Sequence, residues 1–393
     1  MIGNMALRPL TLLGIVVSMV SGVVLGVSAF WVLGYHFPDA MASQQERTLR
    51  AAVRHVSDNY VETVSPDELV NDAIRGMLKG LDPHSTLLTE SELNDLREDT
   101  TGQFGGIGIE VGFVDGFLTV ISPIDDTPAA DAGMQSGDTI VELDHESLKG
   151  TTLNQAVQKL RGKPGTPVHL RVRREDAENG IDFDLVRASI AVNSVTSRML
   201  EPGYGYLRIS QFQNGTANDV TSAVAGLQLD NELDGLVIDL RNNPGGVLRA
   251  SVDVVDAFLT DGLIVYTESR RPSSELRFIA SNTDVLNGAP IAILINKGSA
   301  SASEIVAGAM QDHGRAVLIG TTSYGKGSVQ SVLPIEDNRA IKLTTARYFT
   351  PNGRSIQSEG ITPDVSVPLS EDVSRSDYDT LLLARAVEHL KTE

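Results

Sequence analysis

The chain has 393 residues, with 51 Asp and Glu against 32 Lys and Arg, a formal net charge of −19. This balance excludes a protein built to neutralise nucleic-acid phosphates, so no nucleic-acid partner is expected; the absence of Cys removes disulfides, thiolate catalysis and Cys-ligated metal sites. An apolar fraction of 41% is ordinary globular composition, and the length suits roughly two to three domains.

No Asp, Glu, Lys or Arg occurs between Arg8 and Asp39, and Leu10 to Gly34 is almost wholly apolar. As a helix this stretch would be about 38 Å long, enough to cross a hydrocarbon core of about 30 Å with tilt. Val27-Ser28-Ala29 resembles a signal-cleavage site, but the apolar run exceeds the usual apolar region of a signal peptide, about 7–15 residues. Residues 1–39 are therefore read as a retained signal-anchor, with a cleaved signal as the alternative. Arg8 precedes the span while Asp39 and Glu46 follow it, which places the rest of the chain outside the cytoplasm.

Leu49, Ala52, Val53 and Val56 have the spacing of a helix face, and Ser65-Pro66-Asp67-Glu68 predicts a capping box opening a second helix. Residues 40–98 are thus a small helical region. From about Thr100 the period changes to two, with Ile107, Ile109 and Val111 alternating, a turn at Asp115-Gly116, and Phe117, Thr119 and Ile121 alternating again. A helix carrying Leu153, Ala156, Val157 and Leu160, then a strand with Val168, Leu170 and Val172, complete a β-rich module over 99–188. The order resembles a PDZ domain, and Gly106-Ile107-Gly108-Ile109 resembles its carboxylate-binding loop, which implies binding of peptide C-terminal tails. Residues 189–370 alternate strands (205–212, 236–240, 291–295, 316–319) with helical stretches, the pattern of an α/β core. Residues 371–393 hold a terminal helix.

Three segments of this core carry candidate chemistry. Gly298-Ser299-Ala300-Ser301-Ala302-Ser303-Glu304 follows an apolar strand and opens a helix, so Ser301 is either a nucleophile beside helix N-terminal amides or the start of a capping box with Glu304. His313 sits where a helix C-terminus is expected and gives little support to a Ser-His-Asp triad; a neutral Lys is the other activator of a serine. Tyr324-Gly325-Lys326-Gly327 offers one. Gly320 to Lys326 also satisfies GxxxxGK, but Gly327 stands where a phosphate loop needs Ser or Thr, and Ser328 to Pro334 alternates as a strand. That alternation puts Lys326, Ser328 and Gln330 on one face. Asp239 to Gly246, closing a strand with paired glycines, is either a plain turn or a source of backbone N–H groups.

Together, Gly298 to Glu304, Tyr324-Gly325-Lys326-Gly327-Ser328-Val329-Gln330 and Arg241-Asn242-Asn243-Pro244-Gly245-Gly246 resemble the signature segments of the carboxyl-terminal processing (tail-specific) peptidases. The resemblance extends through Leu81-Asp82-Pro83-His84-Ser85 and Tyr348 to Gly353, and covers nearly everything after residue 45. It implies a membrane-anchored serine endopeptidase of a bacterial envelope, held in the inner membrane and facing the periplasm, with a PDZ module ahead of a crotonase-like α/β core. Ser301 would be the nucleophile, Lys326 the general base and Gln330 its positioning partner. Ala302 and one of Gly245 or Gly246 would supply oxyanion donors. Arg161, after the groove helix, is expected to contact Gln330 or backbone carbonyls across the domain boundary. No metal or cofactor is implied; an adaptor protein and a homo-oligomer are partners the resemblance leaves open. The competing functions are an inert PDZ-bearing peptide scaffold and a nucleotide-binding enzyme.

Overall fold

The computed structural model describes residues 44–392 except 115, 176–179, 230–231, 337 and 369–373. The expected membrane span lies outside these residues, and no described helix is long and apolar enough to cross a membrane. The chain divides into two compact units, the first ending at Leu81.

The first unit contributes α1 (Gln44–Asn59) and α2 (Pro66–Lys79). Helix α2 begins with Pro at its first turn followed by Asp67 and Glu68, but the Ser65 side chain makes no cap hydrogen bond. The expected capping box does not form there; the fixed φ of Pro66 and the two carboxylates near the helix N-terminus favour the start instead.

The second unit opens with the short strand β1 (Thr86–Leu88) and α3 (Glu90–Thr101), which carries its own capping box between Thr89 and Glu92. A two-stranded ribbon then links the β-module to the core: β2 (Gln103–Gly106) leads into the module and pairs with β9 (Ala188–Ala191), which leaves it. Between them lie β3 (Ile109–Val114), β4 (Phe117–Pro123), α4 (Pro128–Asp131), β5 (Thr139–Leu143), β6 (Glu146–Ser147), α5 (Leu153–Leu160), β7 (Pro167–Arg173) and β8 (Ile181–Val186). The sheet order is β3-β4-β5-β7-β8, with β6 on β5, so β3 is an edge strand. The alternating residues foreseen in the sequence, among them Val168, Leu170 and Val172, form this module's separate apolar core with Ile107, Ala156 and Leu160.

The α/β core contains β10 (Val195–Glu201), β11 (Tyr204–Ile209), α6 (Thr216–Leu227), β12 (Gly235–Asp239), α7 (Leu248–Asp256), β13 (Leu263–Ser269), β14 (Arg277–Ile279), β15 (Ile291–Ile295), α8 (Ala302–Asp312), β16 (Ala316–Gly320), β17 (Ser328–Pro334), β18 (Ala340–Phe349), β19 (Val365–Ser366) and α9 (Arg375–Leu390). Its main sheet runs β10-β11-β12-β15-β16-β19, parallel beyond the first pair. Continuous apolar runs such as Ile291–Ile295 occur because both faces are covered. Helices α6, α7 and α8 pack on one face with Ile238 and Ile293. Leu382, Ala386 and Leu390, one stripe of α9, pack on the other against Val237, Leu294 and Ile319. A second, antiparallel sheet, β1-β18-β13-β14 with β17 on β18, stands beside the first.

Leu382 has no solvent exposure, so Leu382→Ala should cost about 2–5 kcal/mol by leaving a cavity under α9. A lowered denaturant midpoint for core unfolding checks this; an unchanged midpoint would mean α9 contributes nothing to the core.

Candidate active site

Three serines in one segment have three different surroundings. Ser299 and Ser303 have no solvent exposure; their hydroxyls donate to the carbonyl oxygens of Leu240 (2.8 Å) and Asn243 (2.9 Å). They fasten the segment to the loop after β12, as does Ala300 N–H, which donates to Asn243 O. Ser301 stands between them at φ 56° and ψ −112°, a left-handed, strained backbone for a residue with a Cβ. Its side chain neighbours Tyr348, whose phenol burial holds above its usual range, partly offset by Ser301.

The Ser301-x-x-Glu304 spacing is more than a cap. Glu304 has no solvent exposure. One oxygen accepts Ser301 N–H (2.7 Å) and Lys326 N–H (2.9 Å), and the other accepts Ser323 Oγ–H and Gly325 N–H, each at 2.6 Å. Tyr324 N–H also donates to Ser299 O. A single carboxylate thus joins the serine turn to the lysine loop. Gly325 and Gly327 let that loop lie flat on its other neighbour: a Cβ on Gly327 would stand 2.5 Å from Gln357 N. The next element is strand β17, where a phosphate loop would open a helix.

Lys326 is part-buried. Burial first, then the charge of Lys342, lowers its pKa below the ordinary lysine value; Glu304 acts in the opposite direction. The Gln330 amide makes no hydrogen bond to Lys326. The Gln330 amide donates to Ser328 Oγ at 2.8 Å and more weakly to Thr344 Oγ1 at 3.4 Å. Within β17 the expected alternation holds for Ser328 and Gln330, whose side chains meet on one face; the register shift beside them places the extra residue, Thr345, in β18.

Gly245 and Gly246 lie at φ 104° and 138°, a region open to glycine. A Cβ on Gly245 would stand 2.8 Å from Ser301 Cβ and 3.0 Å from Ala302 N, so this loop touches the serine turn. Gly245 N–H donates to Asn243 Oδ1 (2.9 Å). Gly246 N–H and Ala302 N–H have no partner among the described residues. The loop is held from behind by Asp239, fully buried, which accepts Tyr206 OH and three Arg241 N–H groups. Arg241 continues to Asp379 of α9 at 2.5 Å. Burial opposes its charge, but the bonds and charges of Asp239 and Asp379 raise its pKa well above the usual guanidinium value. Burial beside Asp239 pushes the Tyr206 phenol up to about 12, so it stays a donor. His313 sits at the far end of α8, its ring nitrogen 2.7 Å from Leu263 O.

In the β-module, Gly106 to Ile109, Val111, Val157, Leu160 and Phe104 line a groove of about 210 Å³ beside the open edge of β3. Ile107 N–H and Gly108 N–H have no partner among the described residues. Arg161 also lines this groove, but its expected contact with Gln330 is not made: its guanidinium pairs with Glu98 of α3 (3.0 Å) and covers the Phe104 ring. Glu98 lies one turn from the end of α3.

The sequence profile of the PDZ domain matches residues 119–174 and that of peptidase family S41 matches 203–367, which makes the chain a serine peptidase carrying a PDZ module. A carboxy-terminal-processing protease of Bartonella bacilliformis is 46% identical over 83% of this chain and 76% of its own length. The carboxy-terminal processing protease CtpB of Bacillus subtilis is 36% identical over 81% and 67%. The solved photosystem II D1 C-terminal processing protease superposes with a TM-score of 0.50 at 29% identity, over 87% of this chain and 98% of that one. The chain belongs to the carboxy-terminal processing proteases of family S41.

Reading Ser301-x-x-Glu304 as a local cap misses the reach of Glu304 to residues 323–326; the sole signal was an acidic residue opening an otherwise apolar helix. Replacing it by Gln removes one acceptor oxygen and turns an amide NH₂ toward existing donors, each unmet group costing about 1–3 kcal/mol. Glu304→Gln should lower the melting temperature and abolish peptide hydrolysis; retention of both would show that the two loops are held apart from this carboxylate.

Proposed function

We propose that Ser301 attacks the peptide carbonyl, Lys326 takes the hydroxyl proton, and the N–H groups of Ala302 and Gly246 receive the oxyanion. Lys326 then gives the proton to the leaving amine, and water, deprotonated by the same lysine, releases the acyl group from Ser301. The observation that carries this reading is the division among the three serines: Ser299 and Ser303 are committed to main-chain carbonyls, whereas Ser301 occupies the strained turn against Gly245 and Ala302. Gly246 is preferred to Gly245 because the Gly245 N–H is committed to Asn243.

The base must be neutral to act, so turnover should rise with pH through the lowered pKa of Lys326, below the range of an ordinary lysine. Ser301→Ala and Lys326→Arg should both be inert while remaining folded, since Arg stays protonated. Mass spectrometry of products from an unstructured substrate reads this; cleavage by either variant would overturn the assignment. An inert peptide-binding scaffold would bind tails and leave them uncut.

The PDZ groove is assigned to substrate C-terminal tails: the Ile107 and Gly108 N–H groups suit a terminal carboxylate, and the edge of β3 suits an added strand. Residues 1–39 are assigned as an anchor in a bacterial inner membrane, with the protease on the periplasmic side. A chain lacking residues 1–39 should then leave the membrane fraction and keep its peptidase activity; continued membrane association would place the anchor elsewhere.

A further inference from the structure

The loop that presents Gly245 and Gly246 lies between two segments. A Cβ on Gly245 would stand 2.8 Å from Ser301 Cβ, whereas one on Gly246 would stand 2.1 Å from Phe212 O. Phe212, fully buried, brackets the loop as an isolated parallel bridge: its N–H donates to Gly245 O at 2.9 Å and its C=O accepts Val247 N–H at 2.8 Å. The peptide joining Gly245 to Gly246 is trans, so its C=O and N–H point in opposite directions. Because Gly245 O faces Phe212, the Gly246 N–H is turned away from Phe212, toward the side on which Gly245 meets Ser301. The main chain of Phe212 thus sets the direction of this donor.

The peptide joining Phe212 to Gln213 is held at both ends. Its C=O takes Val247 N–H, and its N–H, that of Gln213, donates to Thr216 Oγ1 at 2.8 Å. Thr216 opens α6 and has no solvent exposure. Its hydroxyl also shares a hydrogen bond of 2.8 Å with Ser194 Oγ, just after β9, and Ser194 is itself buried; a third contact, to Gln211 O at 3.5 Å, is long. Main-chain bonds fasten the ends of the segment, Ser210 N–H to Ser194 O at 2.9 Å and Asn214 N–H to Thr100 O at 3.0 Å. Between them, the Thr216 hydroxyl fixes the tilt of the peptide that bonds the glycine loop.

We propose that Thr216 is a positioning residue for the oxyanion: its hydroxyl fixes the Phe212–Gln213 peptide, which through Gly245 and Val247 aims the Gly246 N–H at the reacting carbonyl. Thr216 acts through that main chain and not by contact with the substrate. A donor of this kind is effective when it is aimed in advance at the place where charge develops, and a misplacement of about 1 Å is enough to lose much of the rate. The inference rests on Gly246 serving as a donor in acyl transfer to Ser301.

The test compares two variants of the full chain: Thr216→Val, which keeps the branched shape and removes the hydroxyl, and Thr216→Ser, which keeps the hydroxyl. With an unstructured peptide as substrate, Thr216→Val should lower kcat about tenfold or more and leave KM nearly unchanged; Thr216→Ser should recover most of the loss. A peptide aldehyde adds the Ser301 hydroxyl across its carbonyl and places an oxygen where the oxyanion forms, so it should bind Thr216→Val more weakly by a similar factor. The matching peptide alcohol forms no adduct and should bind both proteins alike. Melting temperatures recorded in parallel allow kcat to be expressed per folded molecule, and Thr216→Ala replaces the Val variant should that one not fold. A hydroxyl that serves folding alone would lower the melting temperature and leave kcat and aldehyde affinity unmoved; that result, or a Ser variant as slow as the Val variant, overturns the proposal. The unaltered protein separates the two readings. An aldehyde that binds it no better than the alcohol refutes the oxyanion site itself, whereas an aldehyde preference retained in full by Thr216→Val refutes Thr216 alone.

Discussion

A carboxylate removed from water must be given several donors, because an unpaired buried charge costs several kcal/mol. Glu304 draws its four from two segments about twenty residues apart in sequence, the serine turn and the lysine loop. Neither segment could shift by an ångström without leaving the charge underbonded. The placement of Ser301 relative to Lys326 is therefore held by this one carboxylate. Glu304 also favours a charged Lys326, against burial and the charge of Lys342, which lower its pKa.

A second carboxylate plays the matching part on the other side of the serine. Asp239 fixes Arg241 through main-chain and side-chain bonds, and Arg241 reaches Asp379. Helix α9 thus does two things: its apolar stripe covers one face of the parallel sheet, and Asp379 steadies the loop that presents Gly245 and Gly246 to Ser301. The Asp379 side chain is largely exposed, so its own pairing is worth little in isolation. The direction it imposes on Arg241 matters because Asp239, with no exposure, cannot give up that partner.

The main sheet was legible because parallel strands covered on both faces read as unbroken apolar runs, and Leu236–Leu240 and Ile291–Ile295 do so. The antiparallel sheet was not: β18 is a mixed strand whose pairing with β1, β13 and β17 depends on segments as far as 256 residues away. The register shift that gives β18 an extra residue, Thr345, could not be read from alternation. The pairing of Arg161 with Glu98 was hidden for a related reason. Its sequence neighbourhood is basic and turn-like, whereas its partner Glu98 lies 63 residues earlier, on a helix brought alongside by the ribbon of β2 and β9. Local capping signals proved uneven as well: Thr89 and Thr152 form full boxes, and Ser65, with Pro beside it, does not.

The strained backbone of Ser301 is the last consequence of these constraints. A non-glycine residue in that region costs of order 1–3 kcal/mol and persists only where its surroundings over-determine it. Here they do: Ser299 is tied to Leu240, Ala300 and Ser303 to Asn243, and the Ser301 N–H itself to Glu304. With the flanks fixed, the chain must turn sharply at Ser301 to enter α8, which leaves Ala302 N–H unpaired at the helix start beside the glycine loop. A relaxed turn would redirect that N–H and draw the serine away from Gly245. The strain and the open donor arise from the same turn.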